Sequence, residues 1–238
     1  MALLELDHVT KRFGRVVIAE DLSFTVDAGE TVGIVGPNGA GKTSLFGLIS
    51  GDLTPGAGQV NFAGRNITRL DPAARARLGV GRTYQVPRPF TDMTVFENVL
   101  VAAQQGGRQR RKASYAAAAD ALERTGIAVE ANTPAGRLGL LARKRLEIAR
   151  ALATGPSVLL LDEVAGGLTD PEVTVLVEIV RAINAEKTND ALHDGVVPTE
   201  IRSATLNATT VSANPSARVP SFSRSSPKSA TLPSVASS

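Results

Sequence analysis

A nine-residue run, Gly36-Pro37-Asn38-Gly39-Ala40-Gly41-Lys42-Thr43-Ser44, joins an apolar stretch (Thr31 to Val35) to the segment KTSLFGLISG. Val32, Ile34 and Val35 read as a short buried strand, and Lys42 onward reads as a helix that stops at Gly51. Gly36, Gly39 and Gly41 carry no Cβ, so successive N–H groups can turn inward around phosphate oxygens at the helix N-terminus. The run fits the pattern GxxxxGK[ST] at each fixed position. In that pattern Lys42 reaches the β- and γ-phosphates and the Thr43 hydroxyl helps to hold Mg²⁺. The expectation is a nucleoside triphosphate bound with Mg²⁺.

The length of 238 residues allows one domain of ordinary size with small subdomains. No apolar run approaches the roughly 18 residues needed to cross a bilayer. MALLELDHVTKRF lacks a basic start, an apolar core and a small-residue cleavage site, so no signal peptide is expected and the chain should stay on the cytoplasmic side. Absence of cysteine excludes disulfides, thiolate metal sites and Cys nucleophiles. The net charge of +3 gives no argument for nucleic acid as a partner. The basic clusters Arg108 to Lys112 and Arg143 to Arg145 read as solvated faces.

Short alternating stretches, Leu3 to Val9, Leu22 to Val26 and Gln59 to Ala63, are separated by turn residues and predict a small β subdomain. From Asp92 to Thr125 the pattern becomes helical, with a stop at Gly126. A further helix over Arg143 to Ala153 places Leu146, Ala149, Arg150 and Ala153 at three- and four-residue spacing.

The second chemical signal is SVLLLDE. Val158 to Leu161 reads as a strand buried on both faces, and it ends in Asp162-Glu163. The carboxyl end of a central strand is where an α/β sheet presents chemistry to a ligand. Asp162 suits Mg²⁺, held through water, and Glu163 suits polarising the water that attacks a γ-phosphate.

The order of phosphate loop, Arg82-Thr83-Tyr84-Gln85, KRLEIARAL and LLLDE over residues 3 to 186 resembles the ATP-binding subunit of ABC transporters. The phrases VTKRFGRVV, GRTYQ, MTVFENVLVA and RKRLEIARALAT most resemble subunits that energise branched-chain amino-acid uptake, and related subunits for urea or lipopolysaccharide share nearly the same phrases. The resemblance implies an α/β fold: a P-loop NTPase core with a mainly parallel sheet, an antiparallel β subdomain and a helical subdomain at about 92–153. It implies that Phe13 stacks on adenine. It also implies that Gln85 contacts Mg²⁺ and the attacking water, with Val86 to Phe96 near the membrane partner. The implied site is therefore Phe13, the loop Gly36 to Ser44, Gln85, Asp162 and Glu163, with Thr43, Gln85 and Asp162 toward the metal. The implied partners are permease subunits, a second ATP-binding subunit, identical or paralogous, and indirectly a periplasmic binding protein. The implied place is the cytoplasmic face of the membrane.

The sequence departs from the family pattern in three places. The signature LSGGQ falls on Leu138-Gly139-Leu140-Leu141-Ala142, with Gly139 for the serine and Leu140 and Leu141 for the two glycines. Val164 replaces proline after Glu163, and Thr169 stands where the family has Asp or Asn. Beyond the helix Pro171 to Glu186, KTNDALHD lacks the apolar strand that should precede a switch histidine, so His193 reads as a loop residue. Residues 187–238 form a separate unit, and from Ile201 roughly two residues in five are Ser or Thr, with no acidic residue. Either a disordered tail or a reading frame lost near residue 187 would produce such text, and no packed core is expected there. The core would then be truncated on its C-terminal side, with an exposed sheet edge. Two functions follow: ATP hydrolysis coupled to transport, or a nucleotide-binding module with little turnover.

Overall fold

A computed structural model describes residues 2–34, 39–106, 111–189 and 209–213. Two long strands open the chain, β1 (Ala2–Phe13) and β2 (Val16–Asp27), paired antiparallel through a turn at Gly14. After β3 (Thr31–Ile34) and α1 (Lys42–Ser50), β4 (Ala57–Phe62) pairs with the other side of β1 and β5 (Arg65–Asn66) with β4. The order β2-β1-β4-β5 is the antiparallel subdomain expected from the alternating stretches. Its inward face, Leu4, Leu6, Val9, Val26 and Val60, packs with Phe46, Leu48 and Ile49 of α1 into one apolar cluster. Each such side chain contributes about 1.5–3 kcal/mol of burial.

Helix α2 (Pro72–Leu78) begins at an Asp71 cap and carries Arg75, whose guanidinium is fully buried. Arg75 donates from Nη1 to the Leu48 and Ile49 carbonyls at 2.7 and 2.9 Å, from Nη2 to Thr68 O at 2.9 Å and from Nε to Leu70 O at 3.0 Å. These acceptors include last-turn carbonyls of α1, which no backbone N–H of the helix itself can satisfy.

The second sheet is assembled from distant segments: β6 (Val80–Arg82), β7 (Val158–Leu161) and β8 (Thr209–Ala213), in the order β3-β8-β7-β6. All four residues of β7 are buried, as its apolar run requires. Between β6 and β7 lies the helical subdomain: α3 (Val95–Gln105), α4 (Arg111–Arg124) and α5 (Leu140–Ala153). α3 starts on a capping box in which Thr94 and Glu97 satisfy each other's backbone N–H groups. α6 (Asp170–Asn189) follows β7.

Four expectations need correction. β3 is an outer strand rather than a buried one, with Ile34 buried and Val32 half-buried; Val35 lies outside the described residues. α5 begins at Leu140, three residues before the expected start, because Gly139 takes the extended cap conformation. The sheet is not mainly parallel in its pairing: β6–β7 is parallel, whereas β8 runs antiparallel to both β3 and β7. And Thr209–Ala213, within the stretch expected to carry no packed structure, fills the place between β3 and β7, so no open edge is left there. Parallel neighbours need a long crossover connection, but such a connection does not dictate the direction of the strand it leads to; α6 lies between β7 and β8, and β8 pairs antiparallel to β7. Its Thr-Thr-Val run suits a strand, because β-branched side chains are enriched on a pleated surface. The remainder of residues 190–238, His193 included, lies outside the described residues.

Candidate functional site

Gly39 and Gly41 take φ of 85° and 84°, the left-handed region that the phosphate-loop pattern reserves for glycine. Gly41 is the N-cap of α1, and a Cβ there would meet the Ile18 carbonyl oxygen at 3.0 Å. Lys42 is the first, buried residue of α1; Thr43 beside it is exposed, as are Gly39 and Ala40. Gly36, Pro37 and Asn38 lie outside the described residues. Helix α1 runs to Gly51, which closes it in a left-handed cap.

The carboxyl end of β7 faces this helix start. Asp162 is fully buried, and the Thr43 hydroxyl donates to its Oδ1 at 3.3 Å. Arg82, at the end of β6, donates from Nη2 to Asp162 Oδ2 at 3.2 Å and from Nη1 to Asp52 Oδ2 at 2.7 Å. The same Nη1 donates to Ser50 Oγ at 2.9 Å. One guanidinium thus balances two carboxylates and ties both ends of α1 to the sheet. Thr83 holds the next turn, accepting from Asp162 N–H at 3.3 Å while its own N–H donates to Leu160 O at 2.9 Å.

Glu163 has φ of 42°, a left-handed conformation unusual for a residue with a side chain. Its Oε2 accepts from Gln85 Nε2 at 2.6 Å, so two residues 78 apart in sequence meet. Lys144 completes the cluster from α5. Its Nζ donates to Gln85 O at 2.7 Å and to Glu163 O at 3.5 Å. Burial pushes the Lys144 amine below its ordinary range, against the opposing pull of Glu147, Glu163 and Asp162. Glu147, one turn on, is pushed up by its own burial despite Arg150 at 3.2 Å and the Tyr84 N–H.

Phe13 stands apart from this cluster at the end of β1, half-exposed with the Lys11 ammonium 4.9 Å from its ring centroid. Its open ring is available to a flat aromatic ligand. The oxygen donors Thr43 Oγ1 and Asp162 fit a hard cation such as Mg²⁺, which takes one or two protein ligands plus phosphate and water oxygens. Among the described residues no group of three or more His, Asp or Glu could hold a metal by itself, so the set needs oxygens from a bound nucleotide to be complete.

Sequence reasoning assigned no role to Arg82 or Thr83, although both stand in the GRTYQ phrase, and it placed Lys144 in a solvated basic cluster. Arg143 and Arg145 do serve locally, donating to Gly136 O and Gly126 O. Lys144 between them is 3% exposed. Helical phase gave the signal: Lys144 lies three residues before Glu147, four before Ile148 and seven before Ala151, on the packed side of α5. Of the other basic cluster, Arg108 to Arg110 lie outside the described residues, the Arg111 side chain is not described, and Lys112 is exposed as expected.

Comparison with known proteins identifies the architecture. Residues 19–166 match the ABC transporter family. The high-affinity branched-chain amino acid transport ATP-binding protein LivG of Salmonella typhimurium is 36% identical over 192 residues, 75% of each chain. The corresponding protein BraF of Pseudomonas aeruginosa is 34% identical over 198 residues, 77% of this chain and 78% of that one. Ribose import ATP-binding protein RbsA 1 of Rubrobacter xylanophilus is 36% identical over 186 residues, but these are 37% of its own length. Among solved structures, the ADP conformation of MJ1267, an ATP-binding cassette of an ABC transporter, superposes with a TM-score of 0.70 at 29% identity, over 78% of each chain. A left-handed glycine loop opening α1, a buried aspartate and its neighbouring glutamate at the end of β7, and a family match across both lead to one conclusion: the chain belongs to the ATP-binding subunits of ABC transporters and is an ATPase of that family.

Proposed function

We propose that the chain energises an importer of branched-chain amino acids by hydrolysing ATP at the cluster Lys42, Thr43, Gln85, Asp162 and Glu163. The observation that carries the hydrolytic part is the 2.6 Å hydrogen bond from Gln85 to Glu163, which holds a carboxylate beside the Thr43–Asp162 pair. The substrate class rests on LivG and BraF, which align over three quarters of their own lengths.

The loop Gly36 to Ser44 and the N-terminus of α1 bind the phosphates through backbone N–H groups, and Lys42 adds its charge. Thr43, Asp162 and Gln85 would hold Mg²⁺, and the ion would supply neutralisation of phosphate charge. Glu163 accepts a proton from the water that attacks the γ-phosphorus, while the bond to the β-phosphate bridging oxygen breaks. Gln85 orients both carboxylate and water with its donor and acceptor atoms. Phe13 offers its ring to adenine.

A second copy or a paralogue completes the site, because a signature segment from the opposite subunit closes on each nucleotide in this family. Permease subunits receive the exposed Tyr84, Val86 and Phe90 at the cytoplasmic face of the membrane, and a periplasmic binding protein acts through them. Reconstituting the chain with its permeases in liposomes tests this reading. Leucine, isoleucine or valine with the binding protein should raise ATP turnover, and ribose should not; stimulation by ribose alone would overturn the substrate class.

A second reading is favoured by the signature segment. Leu140 is 42% exposed at the start of α5, on a surface that other members of the family give to glycine. A chain that binds ATP with turnover no faster than its Glu163→Gln variant would be a nucleotide-binding module whose partner subunit does the hydrolysis.

A further inference from the structure

Three side chains along one face of α5 bind the backbone of the segment that carries Gln85. Lys144 donates to Gln85 O, Glu147 accepts from Tyr84 N–H, and Arg150 donates to Arg88 O at 2.9 Å. Their spacing of three residues places them on successive turns. The Arg150 guanidinium also lies over the Phe90 ring, 5.4 Å from its centroid. Lys144 alone of the three reaches further, to the Glu163 carbonyl.

The result is a closed ring: Lys144 holds both backbones, and the Gln85 and Glu163 side chains meet each other. An ammonium that is 3% exposed loses most of its hydration. Two charge-assisted bonds to carbonyl oxygens, within the field of Glu147, Asp162 and Glu163, compensate for that loss. Glu163 needs such support because its left-handed backbone persists only where its surroundings over-determine it. The Gly166 N–H gives the same carbonyl a second bond at 3.0 Å.

We propose that Lys144 is the positioning residue of the hydrolytic site, coupling the signature end of α5 to the orientation of Glu163 and Gln85. The inference rests on the hydrolytic reading above. Lys144 acts through others: it fixes the two backbones from which the reacting side chains project. A displacement of about 1 Å at a reacting group can cost 10²-fold in rate. Movement of α5 relative to the sheet would be transmitted through one amine to both residues.

The test uses the full chain with Lys144→Met, Lys144→Gln and Lys144→Arg. Met and Gln should lower kcat at least tenfold while the Kd for an ATP analogue changes less than threefold, and Arg, which keeps the charge and the donors, should recover most of kcat. Hydrogen exchange read by mass spectrometry should quicken about tenfold in peptides covering 84–88 and 163–166, with peptides of β1 unchanged. Unaltered exchange in those two segments, or a kcat within twofold of the parent for both Met and Gln, would overturn the proposal. So would an Arg variant that folds but is as slow as Met. If Met fails to fold, Gln and Arg decide by the same readouts. Glu163→Gln separates the two ideas: a parent no faster than that variant removes the hydrolytic reading, while the exchange result still decides whether Lys144 holds both segments.

Discussion

β1 and β2 run for twelve residues each, whereas β6 and β7 run for three and four. The long pair lies in a sheet of sequence neighbours, and its product is a packed face. The short pair brings together residues 78 apart and ends at once in Arg82, Asp162 and Glu163. A short buried strand holds its last residue rigidly while leaving the following turn free to display side chains, which is why ligands sit beyond the carboxyl ends of such strands. Length in one sheet and brevity in the other thus separate stability from chemistry.

Glu163→Gln should break the comparison most sharply. Turnover should fall by at least about 10²-fold, the range typical of a lost general base. ATP binding and the thermal midpoint should hardly move, as measured by steady-state kinetics, analogue titration and calorimetry. In the long sheet the converse is expected. Leu6→Ala, at a site 1% exposed, should cost about 2–5 kcal/mol in denaturant unfolding, while the folded fraction keeps its kcat.

Between these two lies the capping box of α3. Thr94→Ala should cost about 1 kcal/mol in the same unfolding measurement. Hydrogen bonds from Thr94 hold the Glu97 carboxyl below its ordinary range, and bonds from Thr169 do the same for Glu172. A depressed carboxyl pKa gives stability that is complete above the unfolded value near 4.5 and is lost as pH falls through the folded value. Melting curves between pH 6 and 3 should therefore converge for the parent and a Glu97→Gln, Glu172→Gln double variant. The smallest effect belongs to His8, raised by its hydrogen bond to Asp21 at 2.7 Å. Its contribution is complete below about pH 6.5 and fades as pH rises through the folded value, so His8→Asn should flatten the slope of the midpoint above pH 6.5.

Much of this architecture was legible in the sequence because its signals are local. Glycine at positive φ, an alternating strand or a capped helix each needs only a few neighbouring residues, and the loop at Gly39 and Gly41, strands β1, β2 and β4 and the stop at Gly51 follow from them. Lys144 and β8 escaped for the opposite reason. A lysine between two arginines reads as surface until the fold brings two carbonyls to it, and Thr209–Ala213 has no apolar pattern to mark it as a central strand. Arg75 escaped likewise, since nothing in PAARARL tells which arginine will be swallowed.

Arg75 also bears on how the domain responds to ionic strength. The positive charge at the negative end of α1 complements the dipole of the helix whose other end begins at Lys42. Because that guanidinium is wholly buried, dissolved ions cannot screen it as they screen the exposed Arg12–Glu20 pair. Raising the salt from dilute buffer to molar concentrations should loosen the rim of the first sheet while the α1 anchor holds, leaving the phosphate end of that helix where the sheet has set it.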